Sequence, residues 1–153
     1  MNAKTLARQA GPWLHSAVGD ASEMVDALRH LEDKGTLTVR VIRGGKAGTE
    51  PKFFDEIAAA LQFAPEFGEN WDALLDCLSD THWLNVKALV ACILDGAYLL
   101  QEASPDQRSH CREVFEEAAR RLNKAGRSFH AIWQTTAQDA ADLKANWPDL
   151  VPL

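Results

Sequence analysis

The run KALVACIL, residues 87–94, constrains the fold more than any other stretch of the chain. It is short, nearly all apolar and bounded by turns, the pattern of a β-strand covered on both faces. Its alanines leave a buried helical segment as the alternative. Two further stretches read as strands. In TLTVRVI, residues 36–42, Leu37, Val39 and Val41 alternate with Thr38, Arg40 and Ile42, and SFHAIWQT, residues 128–135, alternates as well.

Between these strands the period changes from two to that of a helix. Asp20 and Glu23 stand in capping-box positions ahead of the stripe Met24, Val25, Leu28 and Leu31, which Gly35 ends. Pro51 opens a second helix to about residue 62, with Phe53, Phe54, Ile57, Ala58 and Leu61 on its apolar side. FAPEFGEN breaks it, and Asn70 is placed to cap a third helix running to about Ser79. Ser104 as N-cap, Pro105 at the first helical position and Gly126 as terminator enclose a long helix on the stripe Cys111, Val114, Phe115, Ala118 and Leu122. TAQDAADLKANW reads as a short closing helix. Strands separated by helices call for parallel pairing with right-handed crossovers. The expectation is therefore an α/β fold with a three-stranded parallel sheet packed with helices, forming one domain over residues 1–153 in which residues 1–35 are a helical N-terminal extension.

Charge and cysteine content narrow the function. The 153 residues carry a formal charge of -6, which argues against general nucleic-acid binding and favours a basic partner. Cys77, Cys92 and Cys111 are widely spaced and form no C-x-x-C pair, as reduced thiols of a cytosolic protein would. The opening MNAKTLARQAGPWLHSAVGD lacks the continuous apolar core of a signal peptide, and no later apolar run is long enough to span a bilayer. The expected location is the cytoplasm, away from any membrane.

Catalytic patterns are missing. The five histidines are scattered, and G-x-S-x-G, H-E-x-x-H and a P-loop are all absent. RGGKAG, residues 43–48, lacks P-loop spacing. His110 and Cys111 are adjacent, so on a helix they point about 100° apart and cannot easily share a metal ion. Asp72 and Asp76 lie side by side at i,i+4, yet two acids on an open face make poor acid–base machinery. No catalytic residue, metal site or cofactor is expected, and the chain does not read as an enzyme.

The third helix carries the strongest signal. Trp71, Leu74, Leu75 and Leu78 form its buried stripe, while Glu69, Asp72, Asp76 and Asp80 follow the opposite side. Such a face can be simple solvated surface. Against that stands the absence of any Lys or Arg between Glu66 and Val86, because solubilising faces usually mix signs.

At this point PEFGENWDALLDCL, residues 65–78, resembles the signature of the barstar family, intracellular inhibitors of secreted microbial ribonucleases such as barnase. Gly68, Asn70, Asp72, Ala73, Leu74, Asp76, Cys77 and Leu78 fit in register, VFEEA in the long helix fits as well, and the likeness spans roughly residues 37–134. The resemblance implies the barstar-like α/β fold and a helix that plugs a ribonuclease active site with carboxylates in place of RNA phosphates. By that likeness Asp72 and Asp76 are the two helix carboxylates, with Asp76 central, and Glu117 is the acid supplied by the long helix. Gly68 and Asn70 make the turn that positions the helix, Glu69 adds to its acidic side, and Trp83 stands near an aromatic at the rim. Phe67 is a single aromatic where the family has two, and Leu75 replaces a Trp. The implied partner is a basic ribonuclease. The alternative is a binding module of the same fold for another basic protein, a non-ribonuclease toxin or a regulatory partner.

Overall fold

The computed structural model describes residues 2–35, 37–81 and 85–153. Its helices are α1 (Ala3–Leu6), α2 (Ala21–Asp33), α3 (Glu50–Leu61), α4 (Trp71–Ser79), α5 (Pro105–Lys124) and α6 (Ala140–Asn146). The strands are β1 (Leu14–Val18), β2 (Thr38–Arg43), β3 (Ala88–Leu94), β4 (Ser128–Thr135) and β5 (Val151–Pro152). Among the described residues all the strand pairs are parallel, in the order β2-β3-β4-β1-β5.

The α/β class and the parallel sheet agree with the sequence, but among the described residues the sheet has five strands rather than three. Residues 1–35 are also not wholly helical, because β1 lies between α1 and α2. It runs beside β4 from Leu14 opposite Ala131 to Val18 opposite Thr135. LHSAV has no apolar alternation, since His15 occupies a buried position and Val18 an exposed one. β5 is two residues long and exists through its pairing with His15 and Ser16. Both strands are products of tertiary pairing, which local periodicity does not encode.

Side chains alternate across the sheet and build a core on each face. On one face Val39, Val90, Cys92 and Ile132 pack with Leu6 of α1 and with Met24 and Leu28 of α2. On the other, Ile42, Leu89, Ala91, Ile93, Phe129, Ala131 and Trp133 pack under α3, α4, α5 and α6. The chain order explains the division. Links from β2 through β3 and β4 to β5 advance in one direction across the sheet beneath the larger helical layer, and the β1-to-β2 link returns over the opposite face. A fixed crossover hand requires that change of face when the direction reverses. The larger layer carries α4 and α5 side by side.

Candidate protein-binding face

The turn before α4 sets its position. Glu69 takes a left-handed backbone, φ 49°, and Asn70 returns to an extended one. The Asn70 side chain then closes the helix start: its Oδ1 accepts from the Ala73 N–H at 2.8 Å and its Nδ2 donates to the Gly68 carbonyl at 3.1 Å. Gly68 allows that approach, since a Cβ there would lie 3.2 Å from Asn70 Nδ2.

Below the cap, α4 is anchored by the predicted stripe. Leu74 and Leu78 are fully buried, and Leu75 is partly buried against the same core. The Trp71 Nε1–H donates to Glu50 Oε1 at 2.7 Å, while its ring lies 4.9 Å from Phe54 and 5.6 Å from Phe53. On its other flank Trp71 stacks on His110 of α5 at 6.3 Å. A nine-residue helix is marginal alone, and this packing holds it.

The outward side carries Asp72 and Asp76, both exposed. Asp72 lies in the first turn, where the helix dipole favours a negative charge. Glu117 projects from α5 and is clasped by two arginines. Arg120 Nη1 donates to its Oε2 at 3.2 Å and Arg121 Nε donates to its Oε1 at 3.3 Å. The hydrogen bond from Arg120 first, then that from Arg121, holds the Glu117 carboxyl below the usual range. Arg121 also reaches α4, with Nη1 3.9 Å from Asp76 Oδ1. The acidic face therefore has a counter-charge in the fold. The window from Glu66 to Val86 lacks one because it comes from α5.

The other site candidates lie around this pair of helices. Glu69 is exposed and turns toward α3, where a hydrogen bond with Asp55 and the Asp55 charge push its carboxyl above the usual range. Asp55 widens the acidic region, and no local pattern marks it. Phe67 is partly buried, 6.1 Å edge-on from Phe54 and 5.1 Å from Phe63, so its ring is tied into the aromatic cluster under the turn. Trp83 lies outside the described residues. Cys77 is partly buried, and burial, then Asp76 and Asp80, raise its thiol pKa. Cys111 is fully buried while neighbouring His110 is exposed, so the two diverge as their helical spacing requires. Among the described residues no group of three or more His, Cys, Asp or Glu is arranged to hold a metal ion, and no helix is long and apolar enough to cross a membrane. RGGKAG forms a tight turn whose Gly44 fits against the Leu94 and Asp95 carbonyls, which a Cβ would meet at 2.5 Å.

Fold and site together define a small α/β protein that presents a capped, acidic helix beside a second helix on one side of a parallel sheet. Residues 37–134 match the family described as barstar (barnase inhibitor), well over half of the chain. The chain belongs to the barstar family. No curated protein sequence matches it. The matched span contains β2, β3 and nearly all of β4, the three strands legible in the sequence, whereas β1 and β5 lie outside it.

Proposed function

We propose that this protein is a cytoplasmic inhibitor of a basic microbial ribonuclease, seating the α4–α5 face in the enzyme's active site so that Asp72, Asp76 and Glu117 take the place of RNA phosphates. It performs no chemistry of its own in this role. The family match supports the inhibitor role, and one observation supports the face. Leu74 and Leu78 fix α4 from beneath while Asp72 and Asp76 remain exposed, so binding orders few additional groups. An acidic surface held in this way would also speed encounter with a basic cleft.

Titration of barnase activity with the wild-type chain and with Asp76→Ala tests the reading. The wild type is expected to inhibit, and the variant to lose about 2 kcal/mol or more of binding, the scale for removing one partner of a buried interfacial charge pair. That scale comes in part from barnase and barstar themselves. Equal inhibition by both proteins would remove Asp76 from the interface. A second reading, the same face directed at a different basic protein, draws support from Phe67, whose ring packs inward on Phe54 and Phe63. Capture of a basic protein other than a ribonuclease by wild type and not by Asp76→Ala would favour it.

A further inference from the structure

Arg121 enters the acidic face from within the molecule. Its Nε donates to Glu117 Oε1 at 3.3 Å, and its Nη1 lies 3.9 Å from Asp76 Oδ1, so one guanidinium spans a carboxylate from each helix. No packing requirement accounts for it. Arg121 is exposed, and the buried stripe of α5 is formed by Cys111, Val114, Phe115, Ala118, Ala119 and Leu122. The contact to Asp76 is loose, because that side chain is 81 % exposed and water screens the pair. Glu117 keeps a second cation in Arg120, which is itself shared with Glu116.

A guanidinium is also the group that a basic cleft would offer these carboxylates, since its planar fork matches carboxylate geometry. Arg121 thus occupies the seat of an incoming cation. We propose that Arg121 is a specificity-setting residue of this face, a built-in counter-ion that a basic partner must displace from Asp76 and Glu117. The proposal rests on the ribonuclease-inhibitor reading of the same face.

Two physical effects follow from the displacement. Before contact, a positive charge beside the two carboxylates weakens the local field that steers a basic protein inward. After contact, the displaced guanidinium stands beside a positively charged cleft, and like charges in an interface are unfavourable. A partner whose own cations are fixed opposite both Asp76 and Glu117 recovers this loss. A diffusely basic protein recovers less of it. Arg121 therefore lowers binding to all cations and discriminates among them by geometry.

The test compares Arg121→Gln with wild type for association rate and affinity toward barnase, at low and at moderate salt. The variant should associate roughly two- to ten-fold faster and bind correspondingly tighter at low salt, with the gain shrinking as salt screens the face. The gain should shrink when Asp76→Asn is combined with it, because Glu117 is then the only carboxylate of the pair left for Arg121 to neutralise. Thermal unfolding of each variant confirms that the fold is intact, as expected for an exposed side chain. Unchanged or weaker barnase binding by Arg121→Gln overturns the proposal while leaving the inhibitor reading in place. An arginine-rich peptide is the second probe. Tighter peptide capture by Arg121→Gln with no barnase binding by either protein keeps the counter-ion role and removes barnase as the partner. No difference toward the peptide overturns the counter-ion role as well.

Discussion

The α4–α5 face and the β1–β4 junction both concentrate polar side chains, and they treat charge in opposite ways. On the face, Asp72, Asp76, Glu117 and Arg121 stand at the surface, and the charge of Glu117 is stabilised by its arginines. At the junction, His15 and His130 are buried with ring nitrogens 2.9 Å apart and ring planes within 19°. His130 Nε2 lies 2.8 Å from the Arg8 carbonyl, which can only accept, so that nitrogen donates. In the neutral pair His130 Nδ1 then accepts from His15 Nε2. Burial, followed by the charge of His130, depresses His15 to about 4, and burial also lowers His130. The junction is polar but neutral and ties β1 to β4 and to the end of α1. Its polarity serves the fold, whereas the polarity of the α4–α5 face is, in the proposed function, presented to another molecule.

Substitutions can separate these two uses of polarity, and the largest effect should come from beneath the face. Leu74→Ala removes a fully buried side chain under α4 and should lower unfolding free energy by about 2–5 kcal/mol in a denaturant titration. It should also weaken barnase inhibition, because the carboxylates lose their rigid support. A fully stable variant would mean that α4 is held mainly by its aromatic end.

Acidification acts on the junction. The unfolded histidines titrate near 6.5 and the folded ones lower, so between those values the unfolded state binds more protons. The contribution of the pair is complete above pH 6.5 and is lost as pH falls toward about 4, on the order of 3 kcal/mol for His15 alone. Equilibrium unfolding across that window should show the loss, and His15→Gln should flatten it. Persistence of the full slope in His15→Gln would remove His15 as its source and leave His130 and the carboxylates.

Smaller effects belong to the helix start and to the face itself. Asn70→Ala should cost about 1 kcal/mol of stability through loss of the cap on Ala73, and more in binding if the turn positions Asp72. Asp76→Ala should change stability by less than about 0.5 kcal/mol, since its contact with Arg121 is exposed and long. Large binding and small stability effects for Asp76, with the reverse for the histidines, would sharpen the contrast between the two regions.

Legibility in the sequence follows the range of the interactions. α4 and its cap were readable because Asn70, Trp71, Leu74 and Leu78 act within a few residues of one another. β3 was readable because burial on both sides leaves an apolar run. β1 was not, since LHSAV becomes a strand only beside β4, more than a hundred residues onward, and a buried His15 contradicts the apolar pattern. The same limit applied at the site. Asp72 and Asp76 were visible as a helical face, but the counter-charge on Asp76 comes from Arg121 on another helix, and Glu69 meets Asp55 on a third. Phe67 was legible as an aromatic before the turn, while the direction of its ring depended on Phe54 and Phe63.

The most direct test of the division is amide chemical-shift mapping of the labelled chain as unlabelled barnase is added. Perturbations centred on residues 68–80 and 110–121, with the β1 and β5 edge unmoved, are the predicted result. Perturbations centred on residues 2–18 and 151–153, with α4 unmoved, would contradict the account, because the partner would then be read by the region assigned here to the fold.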